Sequence, residues 1–124
     1  MRKPSSSSAH GKPWSPRFRG RVWIDGPEGT FIGYGRVDLL EQIKELGSIS
    51  QAAKALKMAY RRAWDLVDSM NRQAKEPFVE LATGGHGGGG ARVTAEGERA
   101  IQLFRKFDAD LKAFLKHEEK KLRL

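Results

Sequence analysis

The chain has 124 residues, enough for one compact domain with short tails and too few for a large multidomain sensor. Lys and Arg number 23 against 15 Asp and Glu, and the formal charge of +8 at pH 7 favours a polyanionic partner. The sequence holds no cysteine, which excludes disulfides and thiolate metal sites. It also lacks the run of about 20 apolar residues that crosses a membrane. We therefore expect a cytoplasmic protein with no membrane partner.

The first 16 residues differ in composition from the rest of the chain. They are rich in Ser and Pro, carry basic side chains and contain no acidic residue. Such a segment cannot bury enough apolar surface to order itself. We predict a flexible basic tail over residues 1–16 and one folded domain over residues 17–124.

The domain begins with a predicted β-hairpin followed by a helix. Alternating apolar residues surround the turn sequence Gly26-Pro27-Glu28-Gly29, which predicts a hairpin over Arg21–Ile32. Apolar residues at helical spacing then predict a first helix over Arg36–Leu46, with Gly47 at the position of a C-terminal cap.

Two further helices follow in close succession. Either Ser48 or Ser50 can cap a short second helix, which ends in a turn around Lys57 and Met58. In the third helix the apolar positions recur at steps of three and four: Tyr60, Ala63, Trp64, Val67, Met70 and Ala74. The opposite face of that helix holds Arg61, Arg62, Asp65, Asp68, Ser69 and Arg72. Two short helices joined by a tight turn indicate a helix-turn-helix.

A second hairpin and a long helix complete the predicted domain. Pro77 ends the third helix, strand-forming residues follow at Phe78–Leu81 and at Arg92 and Val93, and the glycine run Gly84–Gly90 separates them. Thr94 is a predicted N-cap for the last helix. The predicted fold is mostly α with two small β-hairpins, a winged helix-turn-helix with a long C-terminal helix.

The sequence carries no pattern that predicts catalysis, a metal site or a cofactor. The glycine run matches G-x-G-x-x-G, but it joins strand to strand instead of opening a helix, so it is not a dinucleotide fingerprint. His10, His86 and His117 fall in the tail, the wing and the last helix, and nothing predicts that they converge. We expect a protein that is not an enzyme, without a cofactor or an identifiable small-molecule effector.

The start of the third helix is the predicted DNA-reading element. A recognition helix points such residues into a major groove, where Arg61 and Arg62 could pair with guanine O6 and N7. Tyr60 could either fill the core or contact a phosphate, whereas Trp64 is predicted to lie in the core. We expect double-stranded DNA as the partner.

Other residues of the predicted DNA surface flank this helix. Ser48, Ser50 and Gln51 begin the second helix, where they could meet a phosphate oxygen or serve only as caps. In the wing, His86 and Arg92 could touch the DNA backbone, although Arg92 could instead pair with Glu80 across the hairpin.

The last helix predicts a dimer. Its apolar residues, spaced by three and four, extend further along the helix than a small core can cover. The residues assigned to a homodimer interface are Phe107, Leu111, Phe114 and Leu115. A dimer would place two recognition helices about one DNA turn, roughly 34 Å, apart.

Several short motifs carry a family resemblance. They are Gly47-Ser48-Ile49-Ser50-Gln51-Ala52-Ala53, Ala63-Trp64-Asp65, Met70-Asn71, Ala82-Thr83-Gly84-Gly85 and Thr94-Ala95-Glu96-Gly97. Together, from Gly35 to about Phe107, they resemble the N-terminal DNA-binding domain of ModE, the molybdate-responsive transcription regulator, itself similar to the LysR-type winged helix. The resemblance implies a dimeric, sequence-specific DNA-binding protein of the prokaryotic cytoplasm, associated with the nucleoid. The DNA contacts it implies fall on Ser50, Gln51, Tyr60, Arg61, Arg62 and the wing around His86, and we add Ala59 and Asp65 at the same helix end.

The sequence departs from the family pattern in three places. It has Lys57 and Ala59 where family members have a small residue in the turn and a Ser before the Tyr. The predicted hairpin over Arg21–Ile32 replaces the long N-terminal helix that dimerises in family members. No segment corresponds to the C-terminal oxyanion-binding modules, so we expect no molybdate-sensing site.

Two alternatives to a sequence-specific regulator remain at this point. Winged helices also serve as protein-interaction modules, and the aromatic residues of the last helix could bind another protein. A basic helix-turn-helix could also bind DNA without sequence preference, as an architectural protein. Stable binding to a protein partner without DNA binding would identify the first, and equal affinity for random duplexes would identify the second.

Overall fold

The structure is a computed structural model, and it describes residues 14–82 and 90–122. The predictions for His86, for the glycines of the wing from Gly84 to Gly89 and for tail residues 1–13 therefore lie outside the described residues. The elements follow the order β1 (Ile24–Gly26), β2 (Gly29–Ile32), α1 (Tyr34–Leu46), α2 (Ile49–Ala55), α3 (Tyr60–Gln73), β3 (Val79–Ala82), β4 (Gly90–Val93) and α4 (Ala95–Glu119). The predicted fold class is confirmed.

Each pair of strands forms a separate antiparallel ribbon. In β1–β2, Ile24 lies opposite Ile32, and in β3–β4, Val79 lies opposite Val93. A two-stranded ribbon has little stability alone, so each must pack against the helices. The second ribbon does so at Ala91, whose N–H donates to the carbonyl of Gly47 at 2.9 Å.

The core lies where α1 packs against α2, α4 and β4. Its largest fully buried side chains are Phe104, Leu39, Leu40, Ile43, Met70 and Val37. Leu66 is also buried, although the predicted apolar face of the third helix left it out. Tyr60 belonged to that predicted face, but its side chain is 54% exposed because it begins α3 beyond the edge of the core.

The turn between α2 and α3 contains a strained residue. Ser48 caps α2 by accepting the N–H of Gln51 at 3.1 Å, which decides between the two predicted caps. At the other end, the N–H of Met58 donates to the carbonyl of Ala53 at 2.8 Å, the pattern of a Schellman cap. Lys57 occupies the left-handed position of this cap, with φ of 56°, where glycine is the usual residue.

Asn71 joins α3 to the strand that follows it. Its Oδ1 accepts the N–H groups of Phe78 at 2.8 Å and Val79 at 3.2 Å. Its Nδ2 donates to the carbonyl of Val79 at 3.0 Å. One side chain therefore satisfies three backbone groups where the chain leaves the helix, which fixes where β3 begins.

We expect Asn71→Ala to lower the free energy of unfolding by about 2 kcal/mol, because it leaves partly buried backbone donors without their acceptor. The measurement is urea unfolding followed by tryptophan fluorescence. Gln102→Ala is the matched control, since that amide only donates to the exposed Glu98 and its loss should cost less than about 0.5 kcal/mol. Equal effects of the two substitutions would contradict the role given to Asn71.

Several predicted boundaries differ from the observed ones. The first hairpin is shorter than the predicted Arg21–Ile32, because β1 starts only at Ile24. The first helix begins at Tyr34 instead of Arg36, since Gly33 already accepts the N–H of Val37. The strand predicted over Phe78–Leu81 is Val79–Ala82, because the pairing with β4 begins with Val79 opposite Val93 and ends with Ala82 opposite Gly90.

The segment before the first hairpin lies along the C-terminal half of α4. The N–H of Phe18 donates to Oε2 of Glu119 at 2.7 Å, and Nζ of Lys112 donates to the carbonyl of Gly20 at 3.1 Å. A Cβ built on Gly20 would lie 3.0 Å from Cδ1 of Leu115 and 3.5 Å from Cδ2 of Leu111. The chain itself thus half-buries Leu111 and Leu115, which sequence reasoning had left for a partner to cover.

Tyr34 anchors this segment to the domain. Its hydroxyl donates to Oδ1 of Asp108 at 2.5 Å and accepts the N–H of Val22 at 3.0 Å. The guanidinium of Arg21 lies 4.1 Å from the centre of the same ring. Hydrogen bonds from Lys112 and Tyr34 lower the pKa of Asp108, so this carboxylate stays charged and keeps the segment in place.

Candidate nucleic-acid interface

The helix-turn-helix presents a polar surface formed by the starts of α2 and α3. Ala63, Leu66, Val67 and Met70 face the core, so the helical period turns the other side of α3 outward. The exposed residues at this end are Ser50, Gln51, Lys54, Lys57, Ala59, Tyr60, Arg61 and Arg62. We call this set, together with Ser48 and Asp65, the helix-turn-helix surface. The fold thus brings together the predicted residues of α2 and α3.

Arg61 is a highly accessible cation of this surface. Its side chain is 89% exposed and its Nε lies 3.8 Å from Oδ1 of Asp65, one turn along the helix. An exposed pair at this distance contributes little to stability and is readily exchanged for another acceptor. Arg61 is therefore free to bind a ligand without loss to the fold.

Arg36 lies next to Arg62 at this end of α3. Arg36, on the first turn of α1, donates from Nη1 to Oγ of Ser69 at 2.9 Å. Burial and the positive charge of nearby Arg62 lower its pKa. Both arginines line a shallow cavity of about 270 Å³ between α1, α3 and the first hairpin. The two arginines therefore add positive charge beside the start of α3.

The sequence reasoning did not identify Arg36. The residues around Arg36 indicated only that a helix begins there. Arg36 lies near Arg62 only because α1 crosses α3 at this point. No local sequence pattern predicts that crossing. An arginine in the first turn of a helix, where acidic residues are favoured, was the available signal.

The two aromatic residues of α3 have different environments. Trp64 is partly buried against the core, as predicted. Tyr60 is exposed and its ring meets that of Trp64 edge to face, with centroids 6.3 Å apart. Of the two alternatives for Tyr60, the structure therefore favours a surface position, from which its hydroxyl can reach a ligand.

The wing is described only in its two strands. Nη2 of Arg92 lies 2.5 Å from Oε1 of Glu80 on the opposite strand, which is the ion pair that sequence reasoning gave as the alternative to DNA contact. The two side chains are 67% and 45% exposed, so the pair is weak. It leaves Arg92 able to contact a ligand as well.

Other classes of site receive no support from the part of the chain that the structure describes. Among residues 14–82 and 90–122, no three His, Asp or Glu side chains are grouped so as to hold a metal ion. Within the same ranges, no helix is long and apolar enough to cross a membrane.

Comparisons with known proteins point to one group of regulators. No family model matches the chain. It is 54% identical over 69 residues to the transcriptional regulator ModE of Yersinia pestis. It is 38% identical over 99 residues to the molybdenum transport protein ModE of Azotobacter vinelandii, and 41% identical over 96 residues to the molybdenum-pterin-binding protein MopB of Rhodobacter capsulatus. The chain is similar to ModE regulators.

The similarity covers much of this chain but a minor part of each relative. The matches span 56% of the chain for the Yersinia ModE, 80% for the Azotobacter ModE and 77% for MopB. They span 26%, 37% and 36% of those relatives, in the same order. The resemblance to ModE read from the short motifs is thus confirmed as a similarity of this portion.

Proposed function

We propose that this protein is a sequence-specific, double-stranded-DNA-binding transcription regulator of the ModE type, and that α3 lies in the major groove. The observation that carries the proposal is the pair Arg61 and Arg62 on the exposed first turn of α3, with Arg36 beside them. A helix-turn-helix presents its second helix to base edges in this way. The formal charge of +8 adds a general attraction for DNA.

Three side chains of α3 are assigned to base reading. Arg61 and Arg62 have the planar fork that pairs with O6 and N7 of guanine. Asp65, one turn further along and 3.8 Å from Nε of Arg61, can accept a hydrogen bond from the N4 amino group of cytosine.

The remaining residues of the helix-turn-helix surface are assigned to the DNA backbone. Ser50, Gln51 and Tyr60 are exposed and offer neutral donors to phosphate oxygens. Arg36, which lines a shallow cavity beside Arg62, is assigned to a neighbouring phosphate, while Arg62 is assigned to a base edge. In the wing, His86 and Arg92 are assigned to the neighbouring backbone, Arg92 by exchanging Glu80 for a phosphate.

The biological setting follows from the relatives and remains part of the proposal. The names of these relatives link them to transcriptional regulation and to molybdenum. We propose that this chain acts as a homodimer on genes connected with molybdenum, on the nucleoid in a prokaryotic cytoplasm. The proposal includes no effector and no catalytic activity, because the sequence pattern points to neither.

The direct test is the salt dependence of DNA binding by the purified full chain. Fluorescence anisotropy with a labelled pool of random duplexes should show binding that weakens steeply as salt rises, because phosphate contacts release counterions. A protein-interaction module would show no binding at about 150 mM salt. Specificity is tested by comparing binding to a selected duplex with binding to a scrambled one.

Lys57 offers a prediction in which stability and binding change in opposite directions. We expect Lys57→Gly to raise the free energy of unfolding by about 0.5 kcal/mol, because glycine adopts positive φ without strain. It should weaken binding to all duplexes equally and flatten the salt slope by about one charge. The measurements are urea unfolding and anisotropy titration over a salt series.

Lys116→Ala is the control for that experiment. Lys116 is exposed on α4, away from the helix-turn-helix surface, so its loss should leave the salt slope unchanged. An equal loss of slope in both variants would show that only the overall charge matters. A slope unchanged in Lys57→Gly would remove this lysine from the DNA surface.

A further inference from the structure

The segment before β1 alternates between exposed and half-buried side chains. From Arg17 to Ile24, each odd-numbered residue is exposed and each even-numbered one is half-buried. A period of two is that of an extended chain with one face packed against the domain. The exposed residues of this run are Arg17, Arg19, Arg21 and Trp23. We call these side chains the basic edge.

Backbone hydrogen bonds fix the segment in this extended form. They come from alternate residues, namely the N–H of Phe18, the carbonyl of Gly20 and the N–H of Val22. Their partners lie on α4 and on Tyr34, whose ring also lies 4.1 Å from the guanidinium of Arg21. At about 3.3 Å per residue, the basic edge is a fixed line of positive charge about 20 Å long.

The arginines of the basic edge form no ion pair within residues 14–82 and 90–122. In the same ranges, the arginines that do pair with a carboxylate are Arg61, Arg72, Arg92, Arg99 and Arg105. Among the described arginines, Arg36 and Arg62 share the unpaired state of the basic edge. A cation without a neighbouring acid keeps its attraction for an external anion. The basic edge is therefore available to a polyanion.

Trp23 connects the basic edge to the start of α3. Its side chain is 55% exposed and borders the same shallow cavity as Arg36 and Arg62. It also borders a cavity of about 570 Å³, whose other lining residues are Phe18, Arg19, Gly20, Arg21 and Lys112. The arginines without an acidic partner thus follow one continuous surface from Arg19 to Arg62.

We propose that the basic edge binds the phosphate backbone of the same duplex that α3 reads, beyond the bases that α3 contacts. Its positive charge is complementary to phosphate. Because Arg62 and Trp23 border one cavity, DNA in contact with Arg62 lies next to the basic edge. This continuity favours DNA over an acidic protein, which the charge alone would also attract. A line about 20 Å long covers about six base pairs at about 3.4 Å each.

This inference rests on the proposed function and extends it to the DNA that flanks the recognised bases. The two can fail separately, because they have different readouts. Sequence preference in the arginine variants of α3 reports base reading, whereas the salt slope and the length of duplex bound report the basic edge. If no sequence were enriched, the salt slope on random duplexes would still test the basic edge.

Duplex length tests the proposed contact. Two duplexes carry the selected sequence, one ending at the enriched bases and one longer by about six base pairs at each end. The wild-type chain should bind the longer duplex about tenfold more tightly, because additional phosphate contacts release counterions. The double variant Arg17→Ala, Arg19→Ala should bind the two duplexes within about twofold of each other. It should also lower the salt slope on the longer duplex by about two for each bound chain.

The double variant Arg99→Ala, Lys106→Ala is the matched control. It removes the same charge from exposed positions on α4 that border neither of the cavities joined by Trp23. It should keep the wild-type preference for the longer duplex. A wild-type chain that binds both duplexes equally, or a control variant that loses as much as the alanine variant of the basic edge, would overturn the proposal.

A lysine variant tests whether the contact is to the backbone. Arg17→Lys, Arg19→Lys keeps both charges, and lysine also binds phosphate, so the preference for the longer duplex should remain. Anisotropy titration over a salt series measures all four chains. A lysine variant as weak as the alanine variant would contradict a phosphate contact held by charge.

Discussion

The double substitution Arg61→Ala, Arg62→Ala is expected to weaken binding to the chain's preferred duplex by about 3 kcal/mol, more than about a hundredfold. Both side chains are exposed on the first turn of α3, so the fold should be unchanged. The loss combines two base contacts, each of which contributes about 1–3 kcal/mol of discrimination when it is bidentate. Anisotropy titration with the selected duplex and with a scrambled duplex measures it.

The conservative variants separate base reading from charge. Arg61→Lys keeps the positive charge but loses the planar fork, so it should lose most of the discrimination while binding to the scrambled duplex stays the same. If Arg61→Lys instead binds the selected duplex as the wild type does, the side chain contacts only phosphate. A double alanine variant that loses equal affinity for both duplexes would contradict base reading altogether.

Gly97→Ala is expected to lower the free energy of unfolding by about 3 kcal/mol. A Cβ at this position would lie 2.5 Å from the carbonyl oxygen of Phe78 and 2.8 Å from Cγ1 of Val93. Helix propensity alone predicts the opposite sign, because alanine is favoured over glycine inside a helix by about 1 kcal/mol. The clash with backbone wins, since neither α4 nor the buried residue Phe78, just before β3, can move without opening the core. Thermal and urea unfolding both report the change.

Gly35→Ala is the matched control for this substitution. Gly35 also lies in the first turn of a helix, but a Cβ there would meet nothing within 4 Å. It should be neutral or raise the free energy of unfolding by up to about 1 kcal/mol. If Gly97→Ala behaved as Gly35→Ala does, α4 would not pack against Phe78 and Val93 as closely as the structure shows.

Local patterns predicted the elements because each carries its own signal. Thr94 caps α4 by accepting the N–H of Gly97 at 3.1 Å, as its position before an apolar helix indicated. Gly47 ends α1 with φ of 71°, a conformation that glycine adopts freely. Spacing alone placed Ala63, Val67 and Met70 in the core. The fold class and most of the helix-turn-helix surface therefore follow from the sequence.

Local sequence patterns did not predict the contacts between segments that are distant in the sequence. The segment around Phe18 and Gly20 precedes the predicted hairpin over Arg21–Ile32, and no pattern predicted that its hydrogen bonds go to α4. That contact covers Leu111 and Leu115, and it leaves Phe107 and Phe114 as the exposed members of the predicted dimer interface. Such pairings depend on tertiary packing, which spacing within one helix does not encode.

Tertiary packing also determined which residues of the candidate site the sequence could not predict. Arg36 joins it only because α1 crosses α3 beside Arg62, and the positive φ of Lys57 depends on the cap that closes α2. For Arg92 the sequence was compatible with DNA contact or with an ion pair to Glu80, and the structure shows the ion pair. Site residues were thus predicted where the pattern of a single helix or strand indicated them. They were missed where the site depends on packing between two elements.

The most direct test of sequence-specific recognition by α3 is selection of bound duplexes from a random library with the purified chain at about 150 mM salt. The proposed function predicts enrichment of an inverted repeat whose half-sites are centred about one helical turn, roughly 34 Å, apart. It further predicts that Arg61→Ala relaxes one position in each half-site. Binding without enrichment of any sequence would contradict specific recognition and identify a non-specific DNA binder.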